Sequence, residues 1–288
     1  LAITVAGSLT ALVVLSLFAF DMSPVSLALP FGLPLGDISF RLDGICALFL
    51  LPVLLIVPLV ALYGIGYCTG HAQLQSPRRF RLFYGLISGA TAGVLIADSV
   101  VLFLVLWEIM AASGYFLVAA QDREPEARSA GFVYFIATRV GSLALIAAFV
   151  MLLPQLAGFR FPSPQTLQAT SPIVFFLFLF GFGLKAGFMP LHVWLPGAHS
   201  ASPSHGSALL SGVIIKLGIY GLVRVTSFFA DIPAFWGWTV LGIGALSGVL
   251  GVAFALAQHD LKRLLAYHSV ENIGIIAMGL GLALLGRS

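Results

Sequence analysis

Charge is scarce in this sequence. Asp, Glu, Lys and Arg make up 9% of its 288 residues, where a soluble globular domain carries roughly 25%. Hydrophobic residues reach 60% and mean hydropathy is +1.06, which excludes a water-soluble fold of this length. Cysteine is nearly missing too. Cys46 and Cys68 are too few for the usual thiolate ligation of an iron–sulfur cluster and lack zinc spacing, so they read as small apolar packing residues. Lysine occurs only as Lys185, Lys216 and Lys262. The arginines cluster between apolar stretches, so the net charge of +3 reads as membrane orientation and not as nucleic-acid binding. The first segment, from Leu1, lacks the basic front end and cleavage site of a signal peptide. With an abrupt stop after Gly286-Arg287-Ser288, the chain reads as a fragment of a longer protein.

What is abundant is apolar helix. Crossing about 30 Å of hydrocarbon takes about 20 apolar residues. Segments of that kind fall at about 2–20, 44–66, 81–97, 99–119, 129–153, 172–188, 205–229, 235–257 and 267–286. The expected fold class is all-α: a polytopic integral membrane protein with about nine transmembrane segments. Residues 81–119 would run close to 60 Å as one helix, at about 1.5 Å per residue. They must fold as a hairpin, and Ala97-Asp98-Ser99 is the polar place to turn.

Loop charge orients the segments. Arg78, Arg79, Arg81, Arg123, Arg128, Lys262 and Arg263 fall on one side, Arg41 and Arg160 on the other, with Arg224 ambiguous. The positive-inside rule puts the first set in the cytoplasm. The loop at 21–43, with Asp21, Asp37 and Asp43, then lies outside, and alternation over 37–43 suits a short β-hairpin. Glycines recur at close helical spacing, as Gly242, Gly244, Gly248 and Gly251 and as Gly274, Gly279 and Gly281, which suits close helix packing. Gly181-Phe-Gly183-Leu-Lys185 lacks the spacing of a Walker loop.

Glu108, Arg139, Lys185 and Lys216 fall inside apolar segments. Each central charge costs about 2.5–3.5 kcal/mol even on a lenient scale, so such residues pair, meet water, or both. Glu108 is either a proton carrier or a protonated carboxyl bonded to a neighbouring helix. Arg139 does not release its proton usefully and balances charge or plays a structural part. Lys185 is the most informative. Pro190 offers no amide proton to the carbonyl of Ala186 and clashes with it, so the helix should break just after the lysine. Broken membrane helices occur where freed backbone groups face protein or water, and transporters place ion sites there. Desolvation disfavours a charged amine and a nearby carboxylate restores it, so a switchable Glu–Lys pair could load and unload a proton. Snorkelling of Lys185 to the cytoplasmic edge is the alternative; Lys216 is too deep for that.

His205 could relay protons near neutral pH, cap a helix or face loop water. His192, His199 and His205 do not share one helical face, so no metal site is expected. His268 and Glu271 share a helix face and form either one element of a charge path or a local pair.

Phe188-Met-Pro-Leu-His-Val-Trp-Leu-Pro196 resembles the "PLHxWLPxA" signature of antiporter-like subunits, found in the complex I membrane arm, Mrp-type antiporters and energy-converting hydrogenases. Trp107-Glu108, Thr138-Arg139-Val-Gly141, Lys185 before Pro190, and Gln258-His-Asp260-Leu-Lys262-Arg-Leu-Leu-Ala-Tyr267 follow in family order. Ser204-His205-Gly-Ser-Ala-Leu-Leu through Lys216, and Tyr267-His268-Ser-Val-Glu271, look most like the hydrogenase-4/formate hydrogenlyase branch.

The resemblance implies two inverted five-helix repeats, each with a broken helix. On that plan residues 1–98 are N-terminal helices, 99–229 the first repeat core, and 230–288 the start of a truncated second repeat. It also implies that Glu108 is the family's pair glutamate, Lys185 its broken-helix lysine and Lys216 the connecting lysine. Many relatives have Asp where Ser142 stands, which puts in doubt an ion pair from Arg139 to that position. His268 and Glu271 replace less polar residues of the complex I versions.

The expected function is proton translocation in a membrane subunit of a respiratory-type oxidoreductase complex, multi-pass in a prokaryotic cell membrane. Expected partners are other membrane subunits, a peripheral electron-transfer arm, the lipid bilayer, and H+ or Na+. No cofactor and no nucleic acid are expected. The rival readings are a Na+/H+ antiporter subunit and a non-pumping structural anchor. With only half a pathway, this stretch alone is not expected to pump.

Overall fold

The structure, a computed structural model, describes residues 2–21, 23–29, 38–70, 77–156, 158–168 and 171–288. Its elements are α1 (Ala2–Asp21), β1 (Val25–Leu29), β2 (Ile38–Leu42), α2 (Gly44–Gly70), α3 (Pro77–Ile96), α4 (Val100–Val118), α5 (Pro125–Leu152) and α6 (Pro172–Ala186), followed by α7 (Leu195–Ala201), α8 (Ser204–Leu209), α9 (Lys216–Ser227), α10 (Ala234–Leu256) and α11 (Leu261–Leu285). A π-helical turn over Leu210–Ile214 leads from α8 into α9.

Among the described residues, seven helical spans are long and apolar enough to cross a membrane. The other two expected segments are also helical. Helix α1 runs over 20 residues, Ala2–Asp21, and the front of α3 carries Arg78, Arg79 and Arg81, which lower its hydropathy. The chain is a multi-pass membrane protein. It forms two compact units: Leu1–Phe135 with Gly158–Arg160 and Ala201–Val213, and Ile136–Ala157 with Phe161–Ser200 and Ile214–Ser288.

The first unit is organised around the turn at Ala97-Asp98-Ser99. Helix α3 ends at Ile96 and α4 begins at Val100. The Ser99 hydroxyl caps α4 by accepting from the Leu102 amide at 3.3 Å, which satisfies one of the donors that every helix start leaves open. Asp98, nearly buried, pairs with Arg41 of β2 at 3.0 Å. Ser99 bridges to Arg160, so Arg41 and Arg160, the two arginines expected on the less basic side, both lie at this turn. At the far end of the same hairpin, Arg79 pairs with Asp122 at 3.0 Å. Strand β2 does pair antiparallel, with Val25 opposite Leu42 and Leu29 opposite Ile38. The segment between the two strands, Asp37 included, lies outside the described residues, as does the side chain of Cys68. The Cys46 thiol is buried and donates to the Leu95 carbonyl at 2.9 Å.

In the second unit, α10 and α11 pack with backbones in contact. A Cβ at Gly244 would lie 2.7 Å from the Met278 nitrogen, and one at Gly251 would lie 2.8 Å from the Glu271 nitrogen. Larger residues would force the two helices apart, which is the small-residue packing of membrane helices. Gly242 and Gly279 face open space instead. Helix α9 packs on α6 in the same manner, through Gly218 against Ala186. The Arg287 guanidinium donates to the carbonyls of Thr226 at 3.3 Å and Phe229 at 2.7 Å, closing the end of α9.

Candidate functional site

The break in the sixth helix sits inside the second unit. Helix α6 stops at Ala186, and Gly187 takes φ +81°, a left-handed conformation that only glycine adopts without strain. The amides of Gly187 and Phe188 both donate to the Gly183 carbonyl, at 2.9 and 3.0 Å. Pro190 lies three residues past Gly187 and leads into a 3-10 turn over Leu191–Trp194, after which α7 resumes the helix. The whole span Pro172–Ala201 has 30 residues and would be about 45 Å long if straight, well over the about 30 Å of a bilayer's hydrocarbon core.

Lys185 occupies the last turn of α6 and is 2% exposed. It lies near the middle of Pro172–Ala201. The Arg139 guanidinium, on α5, acts on it electrostatically as a like charge. Arginine keeps its proton, so of the two only Lys185 can exchange one. Ser142, one turn beyond Arg139, is buried, and its hydroxyl has no hydrogen-bond partner among the described residues. It therefore supplies no anionic partner for Arg139.

Lys216 opens α9 directly after the π-helical turn, again near the middle of a span, Ser204–Ser227. Such turns widen a helix locally and are frequent at functional positions. His199 of α7 is 2% exposed, and the ammonium groups of Lys216 and Lys262 both act on it. Lys262 donates to the Ser200 carbonyl at 3.4 Å. In the sequence His199 stands out only as a candidate metal ligand, and Lys262 only as a loop charge and a member of the Gln258–Tyr267 motif. The lone signal is a histidine within a helix of otherwise small and apolar residues, and the fold brings the two lysines to it.

The other candidates lie as follows. Glu108 is half-buried on α4 in the first unit, next to the buried Trp107 and near the middle of the span Val100–Gln121. His205, also in the first unit, is buried on α8. Its ring centroid lies 4.4 Å from that of Phe80, and Gly64 of α2 leaves room beside it, so it faces protein and not loop water. On α11, His268 Nδ1 and Glu271 Oε2 are 2.7 Å apart, with the histidine side chain 45% exposed. His192 stacks on Phe254, with centroids 6.4 Å apart. Among the described residues no three His, Cys, Asp or Glu side chains gather as a metal-holding group.

The model of the NADH:quinone oxidoreductase/Mrp antiporter transmembrane family matches residues 97–286. The chain belongs to this family. It is 38% identical over 259 residues to hydrogenase-4 component B of Escherichia coli (strain K12), covering 88% of this chain and 38% of that protein. To formate hydrogenlyase subunit 3 of the same strain it is 32% identical over 256 residues, covering 88% and 39%. The chain therefore spans less than two fifths of the length of these relatives. Among solved structures, a chain of the Mrp complex from Dietzia sp. DQ12-45-1b superposes with a TM-score of 0.84 at 23% identity, covering 98% of this chain and 53% of that one. That likeness shows the antiporter-like fold.

Proposed function

We propose that the chain is part of a proton-translocating membrane subunit of a respiratory-type oxidoreductase complex, of the hydrogenase-4/formate hydrogenlyase or NADH:quinone oxidoreductase kind. The observation that carries this reading is Lys185, buried within the protein at the point where α6 breaks. A lysine there is too deep to reach bulk water and too costly to keep for packing alone. A break beside it frees backbone groups that water or protein must satisfy, which is how transporters build ion sites at mid-membrane.

In this reading Glu108 modulates the charge state of Lys185, and the proton passes through water to Lys216. Arg139 holds the local charge balance, and His205, His268 and Glu271 are secondary relay or charge partners. The segment 99–229 is the core of a first repeat and 230–288 the beginning of a second, preceded by the helices of 1–98. Other membrane subunits and a peripheral electron-transfer arm are the proposed partners, and H+ the proposed ion. The 38% identity to hydrogenase-4 component B supports the choice of complex.

Glu108→Gln and Lys216→Met in the full-length protein, within its assembled complex, test the reading. Each is expected to lower proton movement per electron transferred while assembly stays normal. Unchanged stoichiometry in both variants contradicts it. Proton movement that runs without electron transfer and follows a Na+ gradient would favour the antiporter reading.

A further inference from the structure

The segment that follows the break is tied to α10 at one buried point. Ser247 is wholly buried in α10. Its hydroxyl donates to the Ile243 carbonyl, one turn back, at 2.8 Å. The same oxygen accepts the backbone amide of Met189 at 3.0 Å. The Gly187 and Phe188 amides are already used on Gly183, so Met189 is the next backbone donor beyond α6. It is buried, where an amide has no access to water. A serine hydroxyl has one proton to give and lone pairs to accept with, and here both capacities are in use. Helix α10 is in turn locked to α11 by the close backbone approaches at Gly244 and Gly251, the second of them onto Glu271.

We propose that Ser247 is a positioning residue for Lys185. Its hydroxyl pins the interrupted segment to α10, fixing where the last turn of α6 ends and hence where the lysine ammonium is held. The α10–α11 pair and the broken helix then move as one body. The inference rests on the reading of Lys185 as a proton-handling residue.

The test uses the full-length protein in its complex, with Ser247→Ala, Ser247→Cys and Ser247→Thr beside Lys185→Ala. Two quantities are read: hydrogen–deuterium exchange of the Met189 amide, and protons moved per electron transferred. In the alanine variant the amide is expected to exchange about tenfold faster, and proton movement to fall. The cysteine variant, similar in size but a weak acceptor, should behave like alanine. The threonine variant, which keeps the hydroxyl, should restore both. Should the alanine variant not assemble, the contrast between cysteine and threonine decides the matter. Unchanged Met189 exchange in alanine or cysteine overturns the proposal. So does full proton movement in either of them while Lys185→Ala abolishes it. Full proton movement in Lys185→Ala overturns instead the reading on which the proposal rests, while Met189 exchange still reports whether the hydroxyl pins the segment.

Discussion

The Trp194 indole N–H donates to the Leu184 carbonyl at 2.8 Å, so the segment after the break bonds back to the residue just before Lys185. The carbonyls of a final helical turn have no partner within the helix, and here a fully buried tryptophan takes one of them. Trp194→Phe keeps the ring and removes the donor. The expected loss is about 1–3 kcal/mol, the cost of leaving a buried carbonyl unsatisfied. Thermal unfolding in detergent checks it, with an unchanged midpoint as the contrary result.

Close approach of α9 to α6 predicts a sharp contrast between two glycines. A Cβ at Gly218 would lie 2.7 Å from the Ala186 nitrogen, whereas one at Gly242 meets nothing within 4 Å. Gly218→Ala should destabilise by about 1–3 kcal/mol or rearrange the end of α6, because backbone yields little to overpacking. Gly242→Ala should leave stability unchanged or raise it by up to about 1 kcal/mol, since alanine is the better helix former. Measured midpoints of the two variants side by side decide it.

The Arg41–Asp98 pair closes the turn between α3 and α4 at 3.0 Å. Removing only Arg41 takes the cationic partner from a buried carboxylate. The expected cost is about 1–3 kcal/mol, below the fully buried case because Arg41 keeps some exposure. Arg41→Ala combined with Asp98→Asn should be milder than Arg41→Ala alone. A double-mutant cycle by thermal unfolding checks the sign, and simple additivity would contradict it.

At the end of α9, Arg287 bonds the carbonyls of Thr226 and Phe229. A cation at a helix C-terminus also suits the helix dipole. Arg287→Ala is expected to cost about 1 kcal/mol and to speed amide exchange in the last turn of α9. Exchange equal to that of the unaltered protein would show that the contact contributes nothing.

Much of the fold could be read from single residues. Asp98 interrupts an apolar run too long for one crossing, and the turn falls at 97–99 with α3 and α4 on either side. The glycines at 244, 251 and 274 face a neighbouring helix, but Gly242 and Gly279 do not, and spacing alone did not separate the two groups. At the break Pro190 is the signal visible in the sequence, while Gly187 with its positive φ is the residue that ends α6. The π-helical turn before Lys216 has no sequence signature. Nothing in the spacing marks Ser247, and His199 is one of three scattered histidines. Their significance comes from tertiary partners, Met189 in one case and Lys216 and Lys262 in the other, and one-dimensional spacing carries no information about such pairs.

Lys185 is the test of the whole account. The direct measurement is the number of protons moved per electron in proteoliposomes that hold the complete complex, with Lys185→Ala against the unaltered protein. Normal assembly is verified first. The account predicts that proton movement is lost, or nearly so, in the variant. Proton movement per electron equal to that of the unaltered complex would contradict it.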